Sequence, residues 1–108
     1  AQVRARDARR ITDLNNMQKG LEQYFSTSGY VYPSTYSGTL NNSSGQFIMT
    51  FANDPKSGWT AYNYNTSNTT QYCICATLES GNNSGNSTTS NCSFSATGGT
   101  YYCVKNQQ

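Results

Sequence analysis

Residues 4–25 of the chain read RARDARRITDLNNMQKGLEQYF, and this stretch decides the fold. Its apolar residues recur at three- and four-residue spacing, which predicts an amphipathic α-helix with one buried stripe over about residues 2–27. A helix of roughly 25 residues is ~38 Å long, which is longer than a domain of this size covers. The stripe consists of Ile11, Leu14, Met17, Leu21, Tyr24 and Phe25.

The beginning of this helix carries no capping signal. The residues at positions 1–3 include none of the Ser, Thr, Asp or Asn side chains that satisfy the first free backbone N–H groups of a helix. The first two turns are almost wholly charged and offer little apolar surface to bury. We therefore interpret the helix as the second half of a longer helix whose first half precedes Ala1. The charged residues are Arg4, Arg6, Asp7, Arg9 and Arg10.

The arginines of these turns favour a solvated helix face. Arg9 with Asp13, and Asp7 with Arg10, have the spacing of ion pairs on a helix surface. Binding of DNA or acidic lipid is the alternative, and contact with neighbouring subunits of an assembly is another. The cluster is made of Arg4, Arg6, Arg9 and Arg10.

Composition indicates one domain over residues 1–108 with an exposed, uncharged polar surface. Charged residues make up only 11% of the chain and the mean hydropathy is -0.73, so the polarity comes from Asn, Ser, Thr, Gly and Tyr. Such a surface is more typical of extracellular than of cytosolic proteins. The net charge of +2 is too small to indicate a nucleic-acid partner. The sequence contains no stretch of 18 or more apolar residues, the length that a membrane-spanning helix requires.

Four cysteines lie in the last third of the chain and predict two disulfides. The spacing is C-x-C, then 16 residues, C, then 10 residues, C, which lacks the C-x2-C pairs of four-thiolate zinc sites. An even number of cysteines in a polar chain is typical of an oxidising compartment. A zinc site and free thiols are the alternatives.

Two strand-like segments narrow the pairing of these cysteines. Residues 72–78 (YCICATL) and 100–105 (TYYCVK) are rich in aromatic and β-branched residues. On the first of them Cys73 and Cys75 point to the same face, too far apart to bond each other without strain.

An antiparallel hairpin of these strands predicts the connectivity. Pairing Leu78 with Thr100 places Cys75 directly opposite Cys103. It also places Ile74 opposite Val104 and Ala76 opposite Tyr102 on the apolar face that packs on the helix. The remaining bond then folds the loop 79–99 over the outer face of the sheet. The predicted disulfides are Cys75–Cys103 and Cys73–Cys92.

The middle of the chain is predicted in less detail. Thr35–Gly45 has the composition of a polar loop, and residues 46–52 (QFIMTFA) fit either a short helix or a buried strand. Residues 60–65 (TAYNYN) alternate and predict a first strand of the sheet. The predicted fold class is α+β, with the long helix packed on a three- to four-stranded antiparallel sheet. Its parts are a helix over 1–28, an αβ-loop over 29–59, and a sheet over 60–108 with the disulfide-bounded loop 79–99.

Several segments of the chain resemble one protein family. The helix of residues 4–25 followed by GYVYPS at 29–34 resembles the helix and the following G-x-Y-P turn of bacterial type IV pilins and of the major pseudopilins of type II secretion. Asp54-Pro55 ahead of YNY at 62–64 resembles the DP…Y-x-Y segment of the same proteins. The final matching segments are CATLE at 75–79 and YYCV at 101–104.

The resemblance implies a structural subunit of an extracellular type IV pilus-like filament. Such subunits pack on identical subunits through their helices, are assembled by a pilus or secretion machinery, and are anchored in the inner membrane before assembly. Anchoring is by an N-terminal hydrophobic helix half that this sequence lacks, so its processing site and assembly glutamate have no counterpart here. A secretion pseudopilin, and an adhesive or DNA-uptake minor pilin, are the alternatives.

The resemblance also points to candidate site residues. Asp54 resembles a position near the calcium site of secretion pseudopilins, although only the Asn53 side chain stands out as a second ligand. The alternative role of Asp54 is to cap the Asp-Pro turn, and no other cofactor is expected. The candidate assembly residues are Arg6, Arg9, Arg10, Ile11, Asp13 and Leu14.

An enzymatic role is not expected from these residues. The chain has no histidine and no Ser or Cys nucleophile beside a base. Its carboxylates are scattered along the chain, with no pair placed for acid–base chemistry. The five acidic residues are Asp7, Asp13, Glu22, Asp54 and Glu79.

Overall fold

A computed structural model describes residues 2–36, 38–80 and 84–107, so the predicted uncapped helix start at Ala1 lies outside it. The described chain is α+β, with one N-terminal helix and two antiparallel sheets, as predicted at the level of fold class. No helix in this part of the chain combines the length and the apolar character that crossing a membrane requires. The elements are α1 (Gln2–Thr27), β1 (Thr39–Asn41), β2 (Phe47–Thr50), β3 (Asn63–Asn68), β4 (Gln71–Thr77) and β5 (Tyr101–Lys105).

The buried positions of α1 extend into its charged turns. Leu14, Met17 and Leu21 are fully buried, in phase with Asp7 and Arg10, which are 6% and 0% exposed. The first two turns have little apolar surface, as predicted, but they are buried on this side because a charged pair occupies the positions where apolar residues would lie. Three residues of the predicted stripe are only half-buried: Ile11, Tyr24 and Phe25.

The helix ends in a Schellman motif. Gly29 has a φ of 80°, which a residue with a side chain adopts at a cost, and the Tyr30 N–H donates to the Phe25 carbonyl over 2.9 Å. The bond satisfies a carbonyl of the last turn and directs the chain away from the helix axis.

The hairpin of β4 and β5 has the predicted register. The Leu78 N–H donates to the Thr100 carbonyl over 3.0 Å, and Cys75 lies opposite Cys103. Ile74 pairs with Val104 on the face that packs against the helix. The core on that side is made of Leu14, Met17, Leu21, Tyr32, Tyr36, Leu40, Tyr62, Tyr72, Ile74, Ala76 and Val104.

Two disulfides lie on the other face of this sheet. They join Cys75 to Cys103 and Cys73 to Cys92, with Cα–Cα distances of 4.1 and 6.1 Å. These are the two predicted pairs, the first from the strand register and the second as the remaining bond. β4 is consequently covered on both sides, by the helix on one and by the disulfide-bonded loop on the other.

The described part of the loop 79–99 covers the free edge of β5. The Asn86 side chain accepts from the Cys103 N–H over 2.8 Å and donates to the Cys103 carbonyl over 3.0 Å. Ser87 exchanges backbone hydrogen bonds with Tyr101. This pairing occupies backbone groups that would otherwise be open to another chain. Residues 81–83 of the predicted loop lie outside the described residues.

The segment between the helix and the main sheet contains a second sheet that was not predicted. β1 lies within the predicted polar loop 35–45, and β2 resolves the open choice for residues 46–52 in favour of a strand. That strand is not fully buried, since Phe47 is 63% exposed. β1 has only three residues, too few for a sequence pattern, and it is recognised as a strand by its pairing with β2. The pair packs on the helix where Gly20 leaves room for Met49.

The predicted first strand of the main sheet begins later than expected. β3 starts at Asn63, so residues 60–62 precede it. Tyr62 is buried there and donates its hydroxyl to Asp13 over 2.9 Å, a contact with the helix that replaces pairing with β4.

Removing either disulfide should destabilise the domain. The bonds close segments of 19 and 28 residues, and the loop-entropy relation assigns each about 3–4 kcal/mol. We expect Cys73→Ala/Cys92→Ala to lower the free energy of unfolding by about 3 kcal/mol, measured by urea denaturation. Cys75→Ala/Cys103→Ala should lower the free energy of unfolding by more, because both cysteines are buried, at 2% and 1% exposed. An unchanged midpoint in the first variant would contradict this assignment.

Candidate functional site

Arg10 lies at the centre of a buried ionic cluster. Its guanidinium donates to both oxygens of Asp54, from Nε over 2.7 Å and from Nη2 over 2.8 Å. Nη1 donates to Asp7 over 2.6 Å and lies 2.8 Å from Glu79 Oε2. A planar guanidinium suits such contacts because its donors form a rigid fork. Three carboxylates from distant parts of the chain therefore share one cation.

Two further cations complete the cluster. Arg6 donates to Glu79 through Nε and Nη2, over 2.5 and 2.6 Å, and Lys56 Nζ lies 3.3 Å from the same carboxylate. The indole of Trp59 lies beneath two of the cations, 5.5 Å from Arg10 Cζ and 4.8 Å from Lys56 Nζ. With three cations and three carboxylates the cluster is formally neutral, which lowers the cost of burying it.

Asp7 connects the helix to the end of β4. Its carboxylate accepts the backbone N–H of Glu79 over 2.9 Å and that of Ser80 over 3.0 Å, and it also accepts from the Ser80 hydroxyl. These bonds bind the segment that leaves the sheet to the first turns of α1. The ionic cluster thus joins the helix, the turn after β2 and the end of β4.

Asp54 occupies both the turn and the cluster. Its Oδ1 accepts the Lys56 N–H over 2.9 Å, which is the turn-capping contact considered for this Asp-Pro pair. Both of its oxygens also face the Arg10 guanidinium. A calcium ion at Asp54 would therefore have to replace Arg10, and the neighbouring Asn53 side chain is exposed. Calcium binding remains a hypothesis that rests on the resemblance.

Electrostatics around the cluster shift the ionisation of its members. Hydrogen bonds from Arg6, and then from Arg10 and Lys56, hold the pKa of Glu79 well below its ordinary value of 4.5. Burial raises the pKa of Asp7, but hydrogen bonds from Ser80, from the Glu79 N–H and from Arg10 outweigh it and lower that pKa below 3.8. The hydrogen bonds to Asp54 raise the pKa of Arg10 in spite of its burial.

The remaining acidic residues also bind the helix to the rest of the domain. Glu22 accepts the Tyr32 hydroxyl over 2.9 Å and the Tyr72 hydroxyl over 3.3 Å. Asp13 accepts the Tyr62 hydroxyl. Burial, and then the neighbouring Asp13, raises the pKa of that phenol. Carboxylates along the whole helix therefore contact other parts of the fold.

The structure corrects two expectations about charged residues. The interpretation of the arginine cluster as a solvated face is wrong for Arg10, which is fully buried, although Arg9 is exposed and lies 3.7 Å from Asp13 as predicted. The acids that are scattered along the sequence converge in space, since Asp54 and Glu79 meet Asp7 at one guanidinium. The burial of Asp7 and Arg10 could have been predicted from the sequence, because positions 7 and 10 lie on the same helix face as positions 14, 17 and 21.

The candidate assembly residues divide into three groups. Leu14 and Arg10 are buried inside the domain, and Arg6, Ile11 and Asp13 are half-buried. Arg9 has a side chain that is 61% exposed. Of the six, Arg9 is the most available for contact with another molecule.

Comparison of the chain with models of known protein families, with curated proteins and with solved structures finds no match. The functional argument therefore depends on the residues and their geometry.

Arg10 should be the most important charged residue for stability. Arg10→Met leaves three carboxylates buried around an uncharged side chain, so we expect it to lower the free energy of unfolding by about 3–5 kcal/mol. The matched control is Arg9→Met on the exposed face, expected to change it by less than about 1 kcal/mol. Chemical denaturation of both variants measures the difference, and equal losses would contradict a central role for Arg10.

The cluster should also make stability depend on acid. Because Asp7 and Glu79 have pKa values below the ordinary 3.8 and 4.5, their contribution is fully present above those values and is lost as the pH falls through the folded-state values. We expect the free energy of unfolding to fall between about pH 5 and about pH 2. Urea denaturation across this range should give a flatter profile for Arg10→Met. Parallel profiles would show that the acid dependence arises elsewhere.

Proposed function

We propose that this chain is the globular part of a pilin-like subunit, which assembles with identical subunits into an extracellular filament. Its role in this proposal is structural and not catalytic. A hydrophobic helix half ahead of Ala1 would anchor the precursor in the inner membrane and later lie in the filament core, with assembly by a pilus or secretion machinery.

The observation that carries the proposal is the meeting of the pilin-like segments in the ionic cluster. Arg10 belongs to the helical block, Asp54 to the Asp-Pro turn, and Glu79 to the CATLE segment. These are separate segments on which the resemblance rests, and they contact one another through one guanidinium. Contact between all three segments at one guanidinium supports the resemblance more strongly than isolated short matches do.

The surface of α1 also supports the proposal. A helix of 26 residues is ~39 Å long, and the longest extent of the described molecule is 42 Å. The helix therefore runs the length of the domain, and the face turned away from the sheets is uncovered. That face is available for packing against other subunits, and head-to-tail contacts that do not close generate a fibre. Its exposed residues are Ala5, Ala8, Arg9, Thr12, Asn16, Lys19 and Gln23.

The disulfides are consistent with the proposed location. Both cross-links lie on the sheet face opposite the helix, and the described loop beside them is rich in Ser, Thr and Asn. Disulfides persist outside the reducing cell interior. In the proposed filament this loop would face outwards, away from the helices.

Filament formation by the gene product with its native upstream sequence tests the proposal. In a host with the assembly machinery we expect surface filaments in negative-stain electron microscopy that are labelled by an antibody against this domain. Asn16→Arg, on the uncovered helix face, should abolish them by adding a long third cation between Arg9 and Lys19 in the packing surface. Its control is Ala96→Arg, which puts the same charge on the exposed loop and should leave filaments intact.

A stability measurement separates assembly from folding. The urea midpoints of the isolated Asn16→Arg and Ala96→Arg domains should both match that of the parent domain, because each substitution is exposed. A processed parent protein that stays monomeric beside its assembly machinery would overturn the structural role. A binding or minor-subunit role would then become the leading hypothesis.

A further inference from the structure

The four cysteine sulfurs form one compact group. All four Sγ atoms lie within 4.8 Å of one another. Cys73 Sγ and Cys75 Sγ, which belong to different disulfides, are only 3.4 Å apart. The two cross-links therefore form a single sulfur cluster, although each bond would perform its loop-closing role without the other nearby.

The sheet places three of these sulfurs together. Cys73 and Cys75 project from the same face of β4, and Cys103 lies opposite Cys75 on β5. This geometry comes from the strand pairing and from the packing of the sheet on the helix. Strand pairing would therefore keep these three sulfurs together after reduction, provided that the sheet stays folded.

Hydrogen bonds bring the fourth sulfur to the same place. Cys92 lies in the loop that Asn86 fastens to Cys103 through two hydrogen bonds. Ser87, in the same loop, is fully buried and pairs with Tyr101. The loop therefore has its own attachment to β5, which would hold Cys92 near the other cysteines after the bonds are reduced.

The size of the cluster suits a tetrahedral thiolate site. A zinc–sulfur distance of about 2.3 Å gives sulfur–sulfur distances of about 3.8 Å in a regular tetrahedron. The present upper limit of 4.8 Å exceeds that value by only about 1 Å. The C-x2-C spacing missing from the sequence serves to bring two thiolates together, and here two paired strands and a loop do so instead.

Solvent reaches one side of the cluster. An open cleft of about 760 Å³ is lined by Cys73 and Cys92, with Lys105 in its wall. Cys75 and Cys103 are 2% and 1% exposed beneath them. A small reductant or a metal ion can thus approach from the Cys73–Cys92 side. Lys105, which pairs with Cys73 across the sheet, adds a cation to this wall, whereas four thiolates and one divalent ion together carry a charge of −2.

We propose that the reduced protein binds one zinc ion, or a similar thiophilic divalent cation, through Cys73, Cys75, Cys92 and Cys103. A dithiol gives each disulfide two electrons and two protons and becomes a disulfide itself. A phosphine gives the two electrons and becomes a phosphine oxide, with the oxygen and the two protons taken from water. Either reductant leaves two thiols. The four thiols then bind one M²⁺ and release four protons. This inference is independent of the filament role and describes a metal-bound state that would precede disulfide formation or follow its loss.

Cobalt titration of the reduced protein tests the site. The chain is reduced under anaerobic conditions with a phosphine, the reductant is removed, and Co²⁺ is added. We expect one Co²⁺ per chain, with intense thiolate charge-transfer and tetrahedral d–d absorption, and displacement by Zn²⁺. The oxidised protein should give neither band.

Two variants and a folding measurement make the result decisive. Cys92→Ser should weaken Zn²⁺ binding at least about tenfold, since losing a ligand costs no less than losing a supporting contact. Ser93→Ala retains all four ligands and should bind as the parent does. Zn²⁺ should also raise the melting temperature of the reduced parent in far-UV circular dichroism. The proposal is overturned by absence of tetrahedral cobalt, by equal affinity of Cys92→Ser, or by a reduced chain that Zn²⁺ neither binds nor refolds.

Discussion

The buried guanidinium of Arg10 is the interaction on which the arrangement of this domain depends. Removing a charge from water costs several kcal/mol unless it is paired with good geometry. Arg10 meets that condition through contacts with three carboxylates, from the helix, the Asp54 turn and the end of β4. If any of these elements moved away, a charge would be left buried without a partner. The cluster therefore specifies one relative placement of helix and sheet, which general apolar contact alone would specify less strictly.

β4 shows how the rest of the fold is built around that placement. Ile74 and Ala76 face the helix, whereas Cys73 and Cys75 face the loop on the other side. The strand is consequently buried on both faces, although its sheet has only three strands. In a domain this small the helix supplies one cover and the disulfide-bonded loop supplies the other. The two faces of the sheet are thus stabilised differently. Ionic and apolar contacts with the helix stabilise one face, and the two disulfides stabilise the other.

The helix and the disulfides lie on opposite sides of the sheet, which matters for the proposed filament subunit. The helix contacts the sheets with one face and leaves the opposite face uncovered, so packing between subunits need not disturb the interior. The sulfur cluster lies on the far side of the sheet from the helix. Redox chemistry or metal binding there is separated from the surface proposed for assembly, and the two proposals can be tested independently of each other.

Local patterns in the sequence predicted the elements with regular periodicity. The helix and the strands β4 and β5 follow from spacing and alternation, because these depend on near neighbours. The pairing of Cys75 with Cys103 follows from aligning two such strands, since their alternating patterns fix the register. The pair β1–β2 was missed, since a strand of three residues has too little pattern of its own. The onset of β3 was placed too early, because Tyr62 continues the alternation of the strand but contacts Asp13 of the helix and does not pair with β4.

The candidate site was predicted only in part. The sequence by itself determined that Arg10 follows Asp7 at helical spacing, and that Asp54 begins a turn. Only the tertiary structure decided that both carboxylates, together with Glu79, surround one buried guanidinium. Ion pairing across the fold depends on distances between segments that are far apart in sequence, and no local periodicity records such distances. For the same reason the spacing of the four cysteines in the sequence did not reveal that their sulfurs form one cluster in the fold.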